Sequence, residues 1–173
     1  CNGGDNINLN ILGDEGSWTP LYSATTKDQT EVMKVLITSG ADVNIPRDDG
    51  TPPVCEACLS GDNKAFKSVQ LLIEAGADVN KCSKDNSTAL YNACNYGNID
   101  IVRALIDAGA HLDIITETGG SPLGIVCALG NYAIVELLLN AGADPNLQPR
   151  RPSRLCVATP LIAACCSGNT EVV

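Results

Sequence analysis

Residues Thr88–Asp113 read Thr-Ala-Leu-Tyr-Asn-Ala-Cys-Asn-Tyr-Gly, then Asn-Ile-Asp-Ile-Val-Arg-Ala-Leu-Ile-Asp-Ala, then Gly-Ala-His-Leu-Asp. The first block suits a short helix: Thr88 caps it, and Leu90, Ala93 and Cys94 fall on one face at helical spacing. The second suits another helix, with Ile101, Val102, Leu105 and Ile106 as its apolar stripe and Gly109 as its left-handed stop. Neither helix has enough partners to bury its face alone. Each must pack on the other and on copies of the pair.

Copies are present. Gly-Ala-Asp-Val-Asn stands at Gly40–Asn44 and at Gly76–Asn80, Gly-Ala-His-Leu-Asp at Gly109–Asp113, and Gly-Ala-Asp-Pro-Asn at Gly142–Asn146. The motif opening each unit is Thr-Pro-Leu at Thr19–Leu21 and Thr159–Leu161, Ser-Pro-Leu at Ser121–Leu123, Thr-Ala-Leu at Thr88–Leu90 and Thr-Pro-Pro at Thr51–Pro53. Gly76 to Gly109 and Gly109 to Gly142 are each 33 residues apart. With these motifs at this period the chain resembles an ankyrin repeat array over nearly its whole length. The resemblance implies an all-α solenoid of stacked helix-turn-helix units with β-hairpin-like fingers between them. It also implies a binding function, toward another protein. The expected units are 18–44, 45–80 (with an insertion), 81–113 and 114–146, preceded by the tail of an earlier repeat over 1–17 and followed by a long finger and a truncated repeat over 147–173. The chain opens inside a repeat and its last helix stops after Glu171-Val-Val, so a section of a longer array is expected.

Composition agrees with thin layers rather than a thick core. Aromatic residues make up 3% of the chain, while Ala, Leu, Val and Ile supply the apolar positions. A net charge of −9 argues against a general nucleic-acid binder, which needs a basic face. It suits either simple solubility or a basic partner. No apolar run reaches the roughly 18 residues of a membrane span. A monomer is expected, in the cytoplasm or nucleus, with no membrane and no nucleic-acid partner.

The nine cysteines are read as packing residues in reduced form. Counted from the opening Thr or Ser, Cys94, Cys127 and Cys165 share the seventh position, and Cys58 joins them if one proline of the second unit is an insertion. Cys55 and Cys58 form Cys-x-x-Cys, but no second pair with zinc-ligand spacing follows.

The irregularities carry their own expectations. In the first unit the second helix, Glu31 to Ser39, is expected to bury Val32, Val35 and Leu36. Asp28 replaces the Gly usual between the helices and predicts mild strain. About three extra residues between Gly61 and Lys67 predict a bulge in the inter-helix loop, with Phe66 as a plug over the helix pair. Ile7, Leu9 and Ile11 alternate with Asn and are expected to lie along the stack. Beyond Gly142 the finger lengthens by about five residues and carries Arg150, Arg151 and Arg154, a local reversal of sign. That loop is read as a solvated segment or as a contact for an acidic or phosphorylated partner.

No Gly-rich phosphate loop, no Ser/His/Asp set and no metal cluster stands out, so catalytic, cofactor-binding and metal-binding residues are none, no cofactor is expected and the segment is read as no enzyme. His111 is read as a surface or hydrogen-bonding residue. Carried over from the family by position, a partner is expected on the concave face, formed by finger tips and the open side of the first helices. Candidate contacts are Trp18, Lys27, Glu56, Leu59, Asn92, Asn95, Tyr96 and Leu129, with Arg150, Arg151 and Arg154 on the long finger. The partner would be basic at the concave face, or acidic or phosphorylated at the arginine loop. Trp18 and Tyr96 are the anchor candidates; for Trp18, packing on the preceding finger is an equal alternative. The resemblance also makes Asn44, Asn80 and Asn146 candidates for hydroxylation, each with a Leu eight residues earlier. The His that commonly follows Thr-Pro-Leu is absent, with Tyr22, Cys55, Tyr91, Gly124 and Ile162 in its place. That departure predicts looser fingers.

The role this supports is an adaptor or scaffold segment. A second, from another class, is a regulatory or ligand-sensing segment of a larger enzyme or channel, packing on its own chain.

Overall fold

In the computed structural model, residues 8–11, 18–59, 63–148 and 159–160 are described. Among them eight helices form four antiparallel pairs: α1 (Pro20–Thr26) with α2 (Thr30–Thr38), α3 (Pro53–Ala57) with α4 (Asn63–Glu74), α5 (Ala89–Tyr96) with α6 (Ile99–Asp107), and α7 (Pro122–Leu129) with α8 (Tyr132–Asn140). The first helices stack α1–α3–α5–α7 and the second helices α2–α4–α6–α8, giving two parallel layers.

Each pair begins and ends as its sequence dictates. Thr19, Thr88 and Ser121 accept the amide protons of Tyr22, Tyr91 and Gly124 at 3.1, 3.1 and 3.0 Å, satisfying donors that a helix start leaves open. Pro20 and Pro122 occupy the first helical turn, where a missing N–H costs nothing. Pro52 precedes α3 without a side-chain cap. Asn98 and Asn131 cap the second helices α6 and α8. The second helices then stop at Gly40, Gly76, Gly109 and Gly142, all with φ between 83° and 98°. At the inner bend Gly97 and Gly130 take φ 74° and 71°, and Asp28 is driven to φ 48° in their place, the strain its sequence position predicts.

The core is a row of small and branched side chains. Ala24, Ala57 and Ala93 with Cys58, Cys94 and Cys127 line the contact between first helices, and all are buried. Val69, Leu72, Ile101, Leu105, Ile134 and Leu138 fill the space between layers with essentially no exposure. Cys165 lies outside the described residues.

Three expectations need correction. α2 does not bury Val32 and Val35, which are 47% and 64% exposed; Met33 is its fully buried residue, with Leu36 and Ile37 half-buried. Val32 corresponds in register to Ile101 and Ile134, which are sealed because another second helix lies on that side. No helix among the described residues stands there beside α2. The insertion of the second unit does not swell the loop alone. α4 is 12 residues long where α2, α6 and α8 have nine, so the extra residues add a turn to the helix. Phe66, in that helix, packs half-buried against the core, as the plug reading requires. Finally, Leu9 packs on the core but Ile11 is 60% exposed, so the two do not both lie along the stack; Ile7 lies outside the described residues.

The fingers contain no strand among the described residues. They are closed turns: Arg47 N–H bonds Thr51 O, Ser83 N–H bonds Ser87 O and Thr116 N–H bonds Gly120 O, at 3.0, 3.1 and 2.9 Å.

Candidate partner-binding face

The face is assembled from the turns leading into α3, α5 and α7 and from the open sides of those helices. Neighbouring tips are tied together. Lys84 N–H reaches Asp49 O at 3.4 Å while its ammonium donates to Asp48 O at 2.7 Å. Glu117 N–H donates to Asp85 O at 2.8 Å, and the Asn86 amide donates to Ile115 O at 2.6 Å. These bonds hold successive tips in register without the family's histidine, so the looser fingers expected from its absence are not what the geometry gives. Asp85 accepts from the hydroxyls of Ser83 and Ser87, and the Ser83 bond is the main cause of a carboxyl held below its usual value.

The exposed apolar side chains of this face are Tyr96 (50%) and Leu129 (55%), the last residues of α5 and α7, and Leu59 (40%), which lies just beyond α3 and one register position earlier. Asn95 is exposed beside Tyr96, and Lys27 is exposed just beyond α1. Asn92 is only half open, because its amide donates to Cys55 O at 3.2 Å and stitches α5 to α3.

Trp18 and Glu56 belong to a different kind of arrangement. Tyr22 is buried to 1% exposure and donates its hydroxyl to Glu56 Oε2 at 2.9 Å. Burial first, then the Glu56 bond, push the phenol well above its ordinary range. The Arg47 guanidinium stands 5.9 Å from the Tyr22 ring centroid, and it pairs with Asp49, whose carboxyl that bond holds well below the usual range. Trp18 is half-buried with its ring 5.6 Å from Tyr22. Trp18 is therefore in part a packing residue, and Glu56 is in part a structural acceptor. Whether Trp18 also meets the finger before it falls outside the described residues, as do Arg150, Arg151 and Arg154.

The motif asparagines link units. Asn44 accepts from Asp78 N–H at 2.8 Å and donates to Gly76 O at 3.3 Å; Asn80 accepts from His111 N–H at 2.7 Å and donates to Gly109 O at 3.1 Å. Asn10 accepts from Asp42 N–H, and Asp113 from Asp144 N–H. As a carboxylate, Asp113 has no amide to offer the next carbonyl. Asn146 is exposed, and His111 is exposed with its backbone joined to this ladder. Sequence reasoning singled out Asn44, Asn80 and Asn146 only as candidates for hydroxylation, not as links between units. Their recurrence one unit apart, Asn10 included, is the signal that points to a ladder between units.

Among the described residues no three His, Cys, Asp or Glu side chains converge to hold a metal ion, and no helix is long and apolar enough to cross a membrane. The geometry defines a helical repeat stack with an open face and a sealed interior. A family model for ankyrin repeats, in three copies, matches residues 2–81 and again 54–149. The chain belongs to the ankyrin repeat family. Over 57 residues it is 32% identical to the 2-5A-dependent ribonuclease of Homo sapiens, a stretch that takes in 33% of this chain and 8% of that protein. Ankyrin repeats are in general protein–protein interaction modules, which sets the class of function.

Proposed function

We propose that this chain is an adaptor or scaffold segment that holds a protein partner against the face formed by the fingers and the first helices. The observation that carries the reading is the exposure of Tyr96 and Leu129, in one register at the ends of α5 and α7, with Leu59 open just beyond α3. Elsewhere on α3, α5 and α7 the large apolar side chains turn inward, whereas these three remain 40–55% exposed on consecutive units. Exposed apolar side chains grouped on a rigid surface are where association gains most from removing water. No catalytic step is part of the proposal, and the setting is intracellular.

A second reading treats the chain as a regulatory or ligand-sensing segment of a larger enzyme. The stretch similar to the 2-5A-dependent ribonuclease favours it, since that protein is by its name an enzyme whose activity depends on a ligand. The two are separated by affinity capture from lysate with mass spectrometry. Wild type is compared with Tyr96→Ala plus Leu129→Asp, with Val35→Asp on the opposite layer, and with Arg150, Arg151 and Arg154 changed to Glu. A partner lost only with the Tyr96 and Leu129 pair supports the adaptor. A partner lost only with the arginine changes moves the site to the long finger. Equal capture by every variant contradicts the face.

A further inference from the structure

We propose that Cys55 and Cys82 form an oxidisable pair, joined by a small-molecule disulfide into a bond that ties α3 to the finger of the following unit. The inference is independent of what the open face binds.

Register separates these two thiols from the others. The described cysteines are Cys55, Cys58, Cys82, Cys94 and Cys127. Packing accounts for Cys58, Cys94 and Cys127, which share the position where first helices touch. Cys55 stands instead where Tyr22, Tyr91 and Gly124 stand in the other units, and Cys82 where Pro46 and Ile115 stand in the other fingers. Of the junctions so formed, only this one sets a thiol against a thiol.

The two lie side by side. Cys55 is fully buried, and its Sγ is 3.5 Å from Lys81 O and 3.9 Å from Ser87 O, the two limbs of the finger that carries Cys82. Across a trans peptide a carbonyl oxygen is about 2.8 Å from the next Cα. The Cys55 sulfur therefore stands within about 6.3 Å of the Cys82 Cα. In a disulfide that separation is about 4 Å, so the finger has no more than about 2 Å to close. Cys82 is half-exposed and donates its thiol to Asn86 Oδ1 at 3.1 Å, a weak bond that a turn about Cα–Cβ gives up. Burial first, then the neighbouring Cys82 thiol, push Cys55 up to about 12.

That contrast sets the order of events. Cys82, open to solvent, attacks as thiolate on a small disulfide such as oxidised glutathione. The small S–S bond breaks, one glutathione leaves and takes up a proton, and Cys82 holds the mixed disulfide. Cys55 then attacks the Cys82 sulfur and gives up its proton. The mixed bond breaks and the second glutathione leaves protonated. Two protein thiols are oxidised, and one small disulfide is reduced to two thiols. Transient bonds of this kind are the form that disulfides take inside cells.

The test incubates the intact reduced chain with oxidised glutathione at neutral pH, blocks free thiols and maps unreduced peptides by mass spectrometry with fragmentation. A Cys55–Cys82 link is expected, and Cys58→Ala should leave it in place. The melting temperature should rise by about 5 °C. Dithiothreitol should reverse the rise, and Cys82→Ser should show none. Amide exchange at Ser83 and Asn86, whose N–H groups close the finger on Ser87 O and Ser83 O, should slow by about threefold or more in the oxidised form. A reaction that stops at a glutathione adduct on Cys82 overturns the inference. So does a Cys55–Cys58 bond, a Cys82–Cys82 bond between two copies, or a Cys55–Cys82 link without a rise in melting temperature.

Discussion

The hydroxyl of Tyr22, on the first helix of one unit, donates at 2.9 Å to the carboxylate of Glu56, on the first helix of the next. Tyr22 stands at the position after Thr-Pro-Leu, where the resemblance led one to expect a histidine. The bond is buried on the Tyr22 side and half-buried on the Glu56 side. Tyr22→Phe should therefore lower stability by about 1 kcal/mol, the usual net worth of such a bond. Urea denaturation at neutral pH measures it; a loss under a few tenths would show that water substitutes freely.

The same residue gives the alkaline limit a sign. Its folded-state phenol titrates above the ordinary value of 10.0, chiefly through burial and then through Glu56. The stabilisation is present in full below pH about 10 and falls as pH rises, because the unfolded chain ionises first. Buried thiols act in the same direction from a lower start: burial pushes Cys55 up to about 12 and Cys127 up to about 11, from an ordinary 9.0. The melting temperature should fall steadily above pH 9, and the part above pH 10 should shrink in Tyr22→Phe. A flat profile from pH 8 to 11 would contradict these burials.

Thiol reactivity separates the described cysteines. Cys82 is half-exposed, whereas Cys55, Cys58, Cys94 and Cys127 are buried. Brief alkylation of the native chain, mapped by peptide mass spectrometry, should label Cys82 well before those four. Equal labelling of Cys94 and Cys82 would mean that the contact between first helices opens readily.

Much of this was legible in the chain because it is local. The caps Thr19, Thr88 and Ser121 and the stops Gly76, Gly109 and Gly142 follow from backbone chemistry within a few residues, and the structure places each as expected. Cys58, Cys94 and Cys127 followed from register. What the chain did not reveal depends on neighbours. Val32 and Ile101 hold the same register position, yet one is 47% exposed and the other sealed, because exposure of a helix face is decided by what stands beside it. The lengthened α4 was invisible because extra residues before a helix read equally as loop or as another turn. At the face, Leu59, Tyr96 and Leu129 were anticipated from position, but the double duty of Glu56 was not, since it arises from the Tyr22 hydroxyl 34 residues away, and Trp18 packs on Tyr22, four residues on in the same unit.

The asparagine ladder yields a pair of opposite predictions. Asn80→Ala removes bonds to His111 N–H and Gly109 O and should cost about 1–2 kcal/mol. Asp113→Asn supplies an amide where the carboxylate had none and should add about 0.5–1 kcal/mol by restoring the link toward the Gly142 turn. Both are read from denaturant midpoints at constant slope. An Asp113→Asn variant no more stable than wild type would show that the missing bond is not a weak junction.

The most direct test of the central claim is site-specific photo-cross-linking in cells. A photoreactive phenylalanine analogue is placed at Tyr96, on the proposed face, and separately at Val35, which is still more open to solvent on the other layer. The account predicts a discrete protein adduct from position 96 and none from position 35. Adducts from position 35 alone, or the same adducts from both, would contradict it.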